Sequence, residues 1–405
     1  MRRRQFLHWG GAALLAPRLL PRPGIAPPAI LADGLLVPMD DVQSDHLKAY
    51  GLAFRVLERG VKAEWLLNYR GGSFLLPADQ ATSRDAALSG VTAEPVSQGT
   101  VIDLKARIQQ ENMDAVPLEK APRVAVYAPP NASPWDDAVT MVLNYAGIRF
   151  DKIWDAEVMA GGLAKFDWLH LHHEDFTGQY SKFYLNYAGA PWLADMVQRN
   201  QQMARQLGFP NVPAEKRAVA EQIRAFVDRG GFLFAMCTAT ETLDLALASA
   251  GTDIAASYAD GTPMDPQASR KMEWSRSLAF QNAQLELSPN IPAFSDIDGH
   301  QVNSLDRRQQ LGAFTLFNFS AKIDPVPTML VQCHRDVIPD FYGLTTSFSR
   351  HTLKPSATIA VSYSRSGSSG CSASACVSTA NAPAASLLSR SSWASAWRTC
   401  TFCSI

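Results

Sequence analysis

Cys237 stands between an apolar run, Phe232 to Met236, and a stretch of helical character, Glu241 to Ala250. Thr238 to Thr242 offers hydroxyls that can cap the helix start. Strand, tight turn with a thiol at its tip, then helix is the geometry of a nucleophile elbow. A thiol at a helix N-terminus is favoured as thiolate by the helix dipole. The alternative is a small buried hydrophobe, which is how free Cys often behaves. A thiolate nucleophile needs a base to take its proton and return it to the leaving group. His334 has the right type and follows the apolar run Thr328 to Gln332, with Asp336 two residues on as an orienting acid. The alternative for His334 is a lone His capping a strand end.

A second group is His170-Leu171-His172-His173-Glu174-Asp175, at the end of the apolar run Asp167 to His172. On a strand, His170 and His172 share one face and His173 points the other way. Two His and a carboxylate can hold a divalent metal, with His170 and His172 as the candidate ligands. The spacing matches no zinc signature, and no further ligand is evident. A substrate-contacting or structural edge is the preferred reading, with His170, His172, His173, Glu174 and Asp175 as substrate-binding candidates. Tyr69-Arg70-Gly71-Gly72-Ser73 is Gly-rich, but no complete phosphate-binding or dinucleotide motif is present and no cofactor is expected.

These residues need a scaffold that brings strand ends together. From Leu35 to Glu111, short apolar runs alternate with helical patterns: strands at Leu35–Met39, Ala63–Asn68, Ser73–Leu76 and Val91–Val96, and helices at Asp45–Arg59, Ser83–Leu88 and Val101–Glu111. Ser44 is the expected cap of the first helix. Pro117 to Pro122 reads as a linker. A second series follows, with strands at Arg123–Tyr127, Ile148–Ile153, Asp167–His172 and Phe232–Met236. Its helices are expected at Ser133–Tyr145, Trp192–Leu207 and Glu215–Val227. Leu278–Leu287, Phe314–Phe319, Thr328–Gln332 and Thr358–Val361 have strand character. Alternation of this kind predicts an α/β fold of flavodoxin-like parallel sheets with flanking helices. In such sheets ligands sit outside the carboxyl ends of the strands, where Cys237, the His172 group and His334 all fall.

The 405 residues carry a formal charge of -1 and 47% hydrophobic residues. That balance supplies an ample core and no basic footprint for nucleic acid. Arg2-Arg3-Arg4 runs into the apolar stretch Phe6 to Ala16, too short to span a bilayer, which predicts a signal peptide over residues 1–32 and no stable membrane anchor. Arg3-Arg4-Gln5-Phe6-Leu7 resembles a twin-arginine export signal, so an exported, periplasmic or extracellular protein is expected. A start at Met39 would remove the strand-like Leu35-Leu36-Val37 and is disfavoured. Four of the six Cys (Cys371, Cys376, Cys400 and Cys403) fall in Val361–Ile405, a stretch without Asp, Glu, Lys or His. This composition is read as an aberrant low-complexity tail, consistent with a shifted reading frame after about Ala360; a disulfide-bonded tail is the alternative. The expected domains are 33–118, an N-terminal α/β module, and 119–360, the main domain.

Ala235-Met236-Cys237-Thr238-Ala239 and Val331-Gln332-Cys333-His334-Arg335-Asp336 resemble the two active-site motifs of the class I glutamine amidotransferase-like superfamily. That family carries G-x-C-x-G at the elbow and G-V-Q-x-H-P-E at a later strand end. Ala replaces both elbow glycines here, Arg replaces Pro and Asp replaces Glu. The resemblance covers roughly Arg123 to Asp336 and implies Cys237 as nucleophile, His334 as base and Asp336 as its orienting acid. LLVPMDDVQSDHLKAYG, EWLLNYRGGSFLLP and DWLHLHHEDFTGQY resemble exported bacterial proteins labelled "asparagine synthetase B". The Cys-first N-terminus and S-G-G-x-D-S loop of an ATP-dependent synthetase are absent from this sequence. The expectation is an exported amidotransferase-like protein that cleaves or transfers an amide or acyl group of a small substrate. The alternatives are a non-catalytic ligand-binding or scaffold protein of the same fold, and a metal-dependent hydrolase built on His170 to Asp175.

Overall fold

Gly34–Val37 (β1) is buried at every position, so both of its faces must be covered. Leu35 and Val37 pack into one core with helices His46–Glu58 (α1) and Gln80–Ser89 (α2). Leu36 packs into a second core with helix Gln98–Gln110 (α3). The other strands of this sheet are Ala63–Leu67 (β2), Phe74–Pro77 (β3), Glu94–Val96 (β4) and Asp114–Leu118 (β5). Their order is β4-β1-β3-β2-β5.

Every neighbouring pair in this sheet is antiparallel, which corrects the expectation of a parallel N-terminal sheet. Fully apolar strands signal burial on both faces, the usual condition of parallel sheets. Here the helices bury both faces of an antiparallel one. The run β1-α1-β2-β3-α2-β4 in this order is a split βαβ arrangement. After it, α3 carries the chain across to β5. The last two residues of that strand, Pro117 and Leu118, fall at the start of the expected Pro117–Pro122 linker. Pro117 obscured the strand in the sequence, yet Pro is compatible with the edge position that β5 holds. Asp45, not Ser44, caps α1, accepting from Lys48 N at 3.0 Å; Ser44 Oγ donates to Gly90 O at 2.6 Å.

The second sheet is parallel: Val124–Tyr127 (β6), Phe150–Ile153 (β7), Trp168–Leu171 (β8) and Phe232–Ala235 (β9), in the order β7-β6-β8-β9. Helices Ala138–Ala146 (α4), Asp155–Met159 (α5), Pro191–Gln206 (α6), Val212–Asp228 (α7) and Thr238–Ala248 (α8) connect and flank these strands. Val124, Val126, Trp168, Phe232 and Phe234 bury one face with Val139 and Leu143 of α4. Ala125, Tyr127, Leu169, Leu171, Leu233 and Ala235 bury the other with α5, α7 and α8. The chain turns one way from β6 to β7 and the other way to reach β8, so a topological switch point lies between β6 and β8. The molecule is therefore α/β, with one parallel four-stranded sheet and flanking helices.

Leu278–Leu287 forms no strand; Leu285 makes only an isolated bridge with Ser295. The buried Asp244 carboxylate accepts from the backbone N–H groups of Leu278, Ala279 and Phe280 at 2.7–2.8 Å. Those amides are thereby engaged by a side chain instead of a ladder. The two sheets meet through α1 and α4. Arg55 Nη1 donates to Ala146 O at 3.0 Å, and Arg55 grips Asp85 through two further bonds of 2.9 Å. Gly51 permits this approach, since a Cβ there would lie 1.6 Å from Ala146 O.

The structure is a computed structural model and describes residues 33–130, 138–236, 238–291 and 293–297. It also describes the backbone of Gly312–Thr315 paired with Val337–Phe341, and of Ala357–Arg365 paired with Cys371–Thr379, both antiparallel. The expected signal segment, Cys237, His334, Asp336 and the rest of the C-terminal tail lie outside the described residues. Among the described residues no helix is long and apolar enough to cross a membrane.

Candidate functional site

β8 and β9 end side by side. Leu171 pairs with Ala235, and Met236 N–H donates to Leu171 O at 3.0 Å. The chain then continues to the His172 group on one side and to the start of α8 on the other. This is the carboxyl edge of the parallel sheet, where open α/β sheets place their ligands.

β8 stops at Leu171 because Glu174 Oε2 accepts from His172 N–H at 3.0 Å and bends the chain out of the ladder. Strand alternation therefore does not extend to His172 and His173, contrary to the expected sharing of one face by His170 and His172. Instead the His172 and His173 rings meet with centroids 4.6 Å apart and Nδ1 atoms 3.1 Å apart. One Nδ1–H must donate to the other Nδ1, so the two rings need complementary tautomers. Burial, then the His173 charge, push His172 down to about 3. His172 is accordingly neutral at physiological pH.

Thr242 on α8 fastens this turn. Its Oγ1 accepts from Phe176 N–H at 3.2 Å and shares its proton between Thr238 O at 2.8 Å and Glu174 O at 3.1 Å. Asp175 organises the following loop: Oδ1 accepts from Thr177 N and Oγ1, and Oδ2 from Gln179 N and Ser181 N, all at 2.6–3.0 Å. Burial raises the Asp175 carboxyl above its ordinary range while these donors pull it down. The loop that Asp175 holds contains three successive left-handed residues, Tyr180, Ser181 and Lys182, with φ of 55°, 54° and 54°. Each costs roughly 1–2 kcal/mol without a glycine. Lys182 Nζ donates to Glu286 O at 2.6 Å, which helps pin the turn.

His170 lies inside the sheet layer. It is fully buried, stacks on Phe234 at 5.1 Å, and neither ring nitrogen has a hydrogen-bond partner. Burial holds it well below its ordinary value, so it stays neutral. The structure thus brings His172, His173 and Glu174 together at the edge, engages Asp175 in the loop and leaves His170 in the core. Among the described residues no group of three or more His, Cys, Asp or Glu side chains is placed to hold a metal ion.

A second cluster at the same edge was not expected. Tyr127 ends β6, Asp155 opens α5 after β7, Glu215 closes the first turn of α7 and Lys216 follows it. Lys216 Nζ bonds Asp155 Oδ2 at 2.6 Å and Tyr127 OH at 3.2 Å, and it lies 3.9 Å from Glu215 Oε2. Tyr127 OH donates to Asp155 Oδ1. The Lys216 ammonium also lies 4.1 Å from the Trp154 ring centroid, a distance that adds cation–π attraction. Relative exposure is 0% for Tyr127, Asp155 and Glu215 and 4% for Lys216. Burial, against the Lys216 charge and with the Asp155 charge, raises Glu215 to about 8. The sequence signal was the placement of Glu215 and Lys216 among Val212, Val219, Ala220 and Ile223, the buried positions of α7. Charged residues on an apolar stripe require partners.

An open cleft of about 1220 Å³ lies elsewhere, between α1 and the amino ends of β6 and β7. Its cations are already engaged: Arg55 with Asp85, Arg123 and Lys120 with Asp167, and Arg149 with Glu58. It also faces the wrong end of the parallel sheet for a ligand site of this fold. Comparisons of the chain with protein-family models, curated proteins and solved structures return no match.

Proposed function

We propose that the adjoining ends of β8 and β9 form the site of an exported, amidotransferase-like hydrolase or transferase that uses Cys237 on an amide or acyl bond. One observation carries this reading. The Met236 N–H to Leu171 O bond holds the end of β9, one residue before Cys237 in sequence, beside the end of β8, which leads directly into His172, His173 and Glu174. The strand order β7-β6-β8-β9 also suits a flavodoxin-like domain of the amidotransferase type.

In the proposed reaction the Cys237 thiolate attacks the substrate carbonyl carbon. Backbone N–H groups at the start of α8 receive the developing oxyanion. Collapse breaks the C–N bond, and the amine leaves with the proton that His334 took from the thiol. Water then adds to the thioester, with His334 as base and Asp336 orienting it, and releases acid and thiol. His172, His173 and Glu174 contact the substrate. The roles of Cys237, His334 and Asp336 rest on the motif resemblance.

The test is labelling with a chloroacetamide analogue of a small amide. The reading expects preferential modification of Cys237 among the six Cys, slowed at least tenfold in His334→Ala. Equal labelling of Cys237 and a denatured control, or no effect of His334→Ala, sinks the catalytic reading. It would leave the ligand-binding alternative, which is favoured by the Ala residues flanking the elbow at 235 and 239.

A further inference from the structure

We propose that Glu215 is a buried protonated carboxyl beside the Lys216–Asp155 ion pair and Tyr127, and that its ionisation acts as a pH-sensitive latch between α7 and the carboxyl edge of the parallel sheet. This inference does not depend on Cys237 being catalytic.

The geometry supplies the latch. Two carboxyl groups and one ammonium share a space whose members are at most 4% exposed. With Glu215 protonated, the cluster of Lys216, Asp155 and Glu215 has no net charge. Asp155 is the carboxylate that engages the ammonium: its oxygens bond Lys216 Nζ at 2.6 Å and the Tyr127 hydroxyl. Neither Glu215 oxygen has a hydrogen-bond partner, and a carboxyl left unpaired in a dry site costs least when it is uncharged. Loss of the proton would set two carboxylates against one ammonium in a dry site, a state that admitting water relieves.

The titratable groups around Glu215 come from three elements and one loop. Tyr127 belongs to β6, Asp155 to α5, and Lys216 to α7 itself. Glu174, in the loop after β8, acts electrostatically on Tyr127. All but Lys216 are acidic, so among these groups no second cation absorbs the extra negative charge.

What the latch fastens matters for the site. The first turn of α7 lies against the loop after β8: a Cβ on Gly178 would lie 2.7 Å from Pro213. Tyr127 also packs on Phe176 with ring centroids 5.3 Å apart. Phe176 in turn is bonded to Thr242 beside Glu174. Loosening the amino end of α7 therefore removes the Pro213 contact from the loop that follows His172, His173 and Glu174.

The linkage has a definite sign. Opening exposes Glu215 to water and restores its ordinary carboxyl behaviour, so opening releases a proton wherever the closed form still holds it. The opening constant should rise about tenfold per pH unit from just above pH 4.5 towards pH 8 and then level off. The experiment is amide hydrogen exchange of the full chain over residues 212–220 between pH 5.5 and 9, corrected for intrinsic exchange. Glu215→Gln keeps the shape of the protonated carboxyl and should abolish the pH dependence while leaving the segment protected. Infrared difference spectra of the unmodified protein across the same range should show one buried protonated carboxyl that ionises. That band should be missing in Asp155→Asn or in Glu215→Gln. A pH-independent opening constant, or no ionising buried carboxyl in the unmodified protein, overturns the latch. The infrared measurement decides even if a variant does not fold.

Discussion

Replacing Lys216 with Met isolates what the buried ammonium contributes, because Met keeps an unbranched apolar stem in the same slot. The change removes the 2.6 Å bond to Asp155, the 3.2 Å bond to Tyr127 and the contact with the Trp154 ring. Asp155 then retains the Tyr127 hydroxyl but loses its counter-charge at zero exposure. Breaking a buried pair from one side costs about 3–5 kcal/mol, mostly from the charge left behind. Packing contributes little, since a volume-conserving apolar swap usually costs less than about 1.5 kcal/mol. Urea unfolding at neutral pH measures the loss. The Asp155→Asn/Lys216→Met double variant should recover much of it, because no unpaired charge remains. The electrostatic account fails if Lys216→Met lies within about 1 kcal/mol of the parent, or if the two single losses simply add.

Three further outcomes are expected. His172 is held near 3 against an ordinary value of 6.5, so its contribution to stability is complete above 6.5 and is lost as pH falls towards about 3. His172→Asn should therefore flatten the acid limb of the stability profile by up to about 1.4 kcal/mol per pH unit in that window, read by urea unfolding at stepped pH; an unchanged slope counts against it. Thr242→Val should cost about 1–3 kcal/mol, because Phe176 N–H loses its acceptor in a buried site, and exchange of that amide should speed up. Gly51→Ala drives a methyl into Ala146 O and should cost about 1–3 kcal/mol by parting α1 from α4, with unaltered thermal unfolding as the contrary result.

Much of the element order was legible. The expected strands at Ala63–Asn68 and Arg123–Tyr127 lie within a residue of β2 and β6. Their apolar runs and flanking turns act locally. The strand–turn–helix character around Cys237 was also legible, with β9 and α8 on either side. Sheet direction was different. β1 and β9 are both fully buried four-residue strands, yet one sheet is antiparallel and the other parallel. Burial on both faces produces the same apolar run in either case.

Sequence alone therefore determined the periodicities, the α/β class and the residue types available for chemistry, because each depends on near neighbours along the chain. Tertiary structure decided which of those residues meet. It turned His172 onto His173 through one Glu174 hydrogen bond and buried His170 against Phe234. It also gathered Tyr127, Asp155, Glu215 and Lys216 from three separate elements into one dry cluster. Spacings of 28 residues from Tyr127 to Asp155 and 61 from Asp155 to Lys216 carry no local signal. Only the closing of the sheet and the docking of α7 remove the water that would otherwise keep these charges independent.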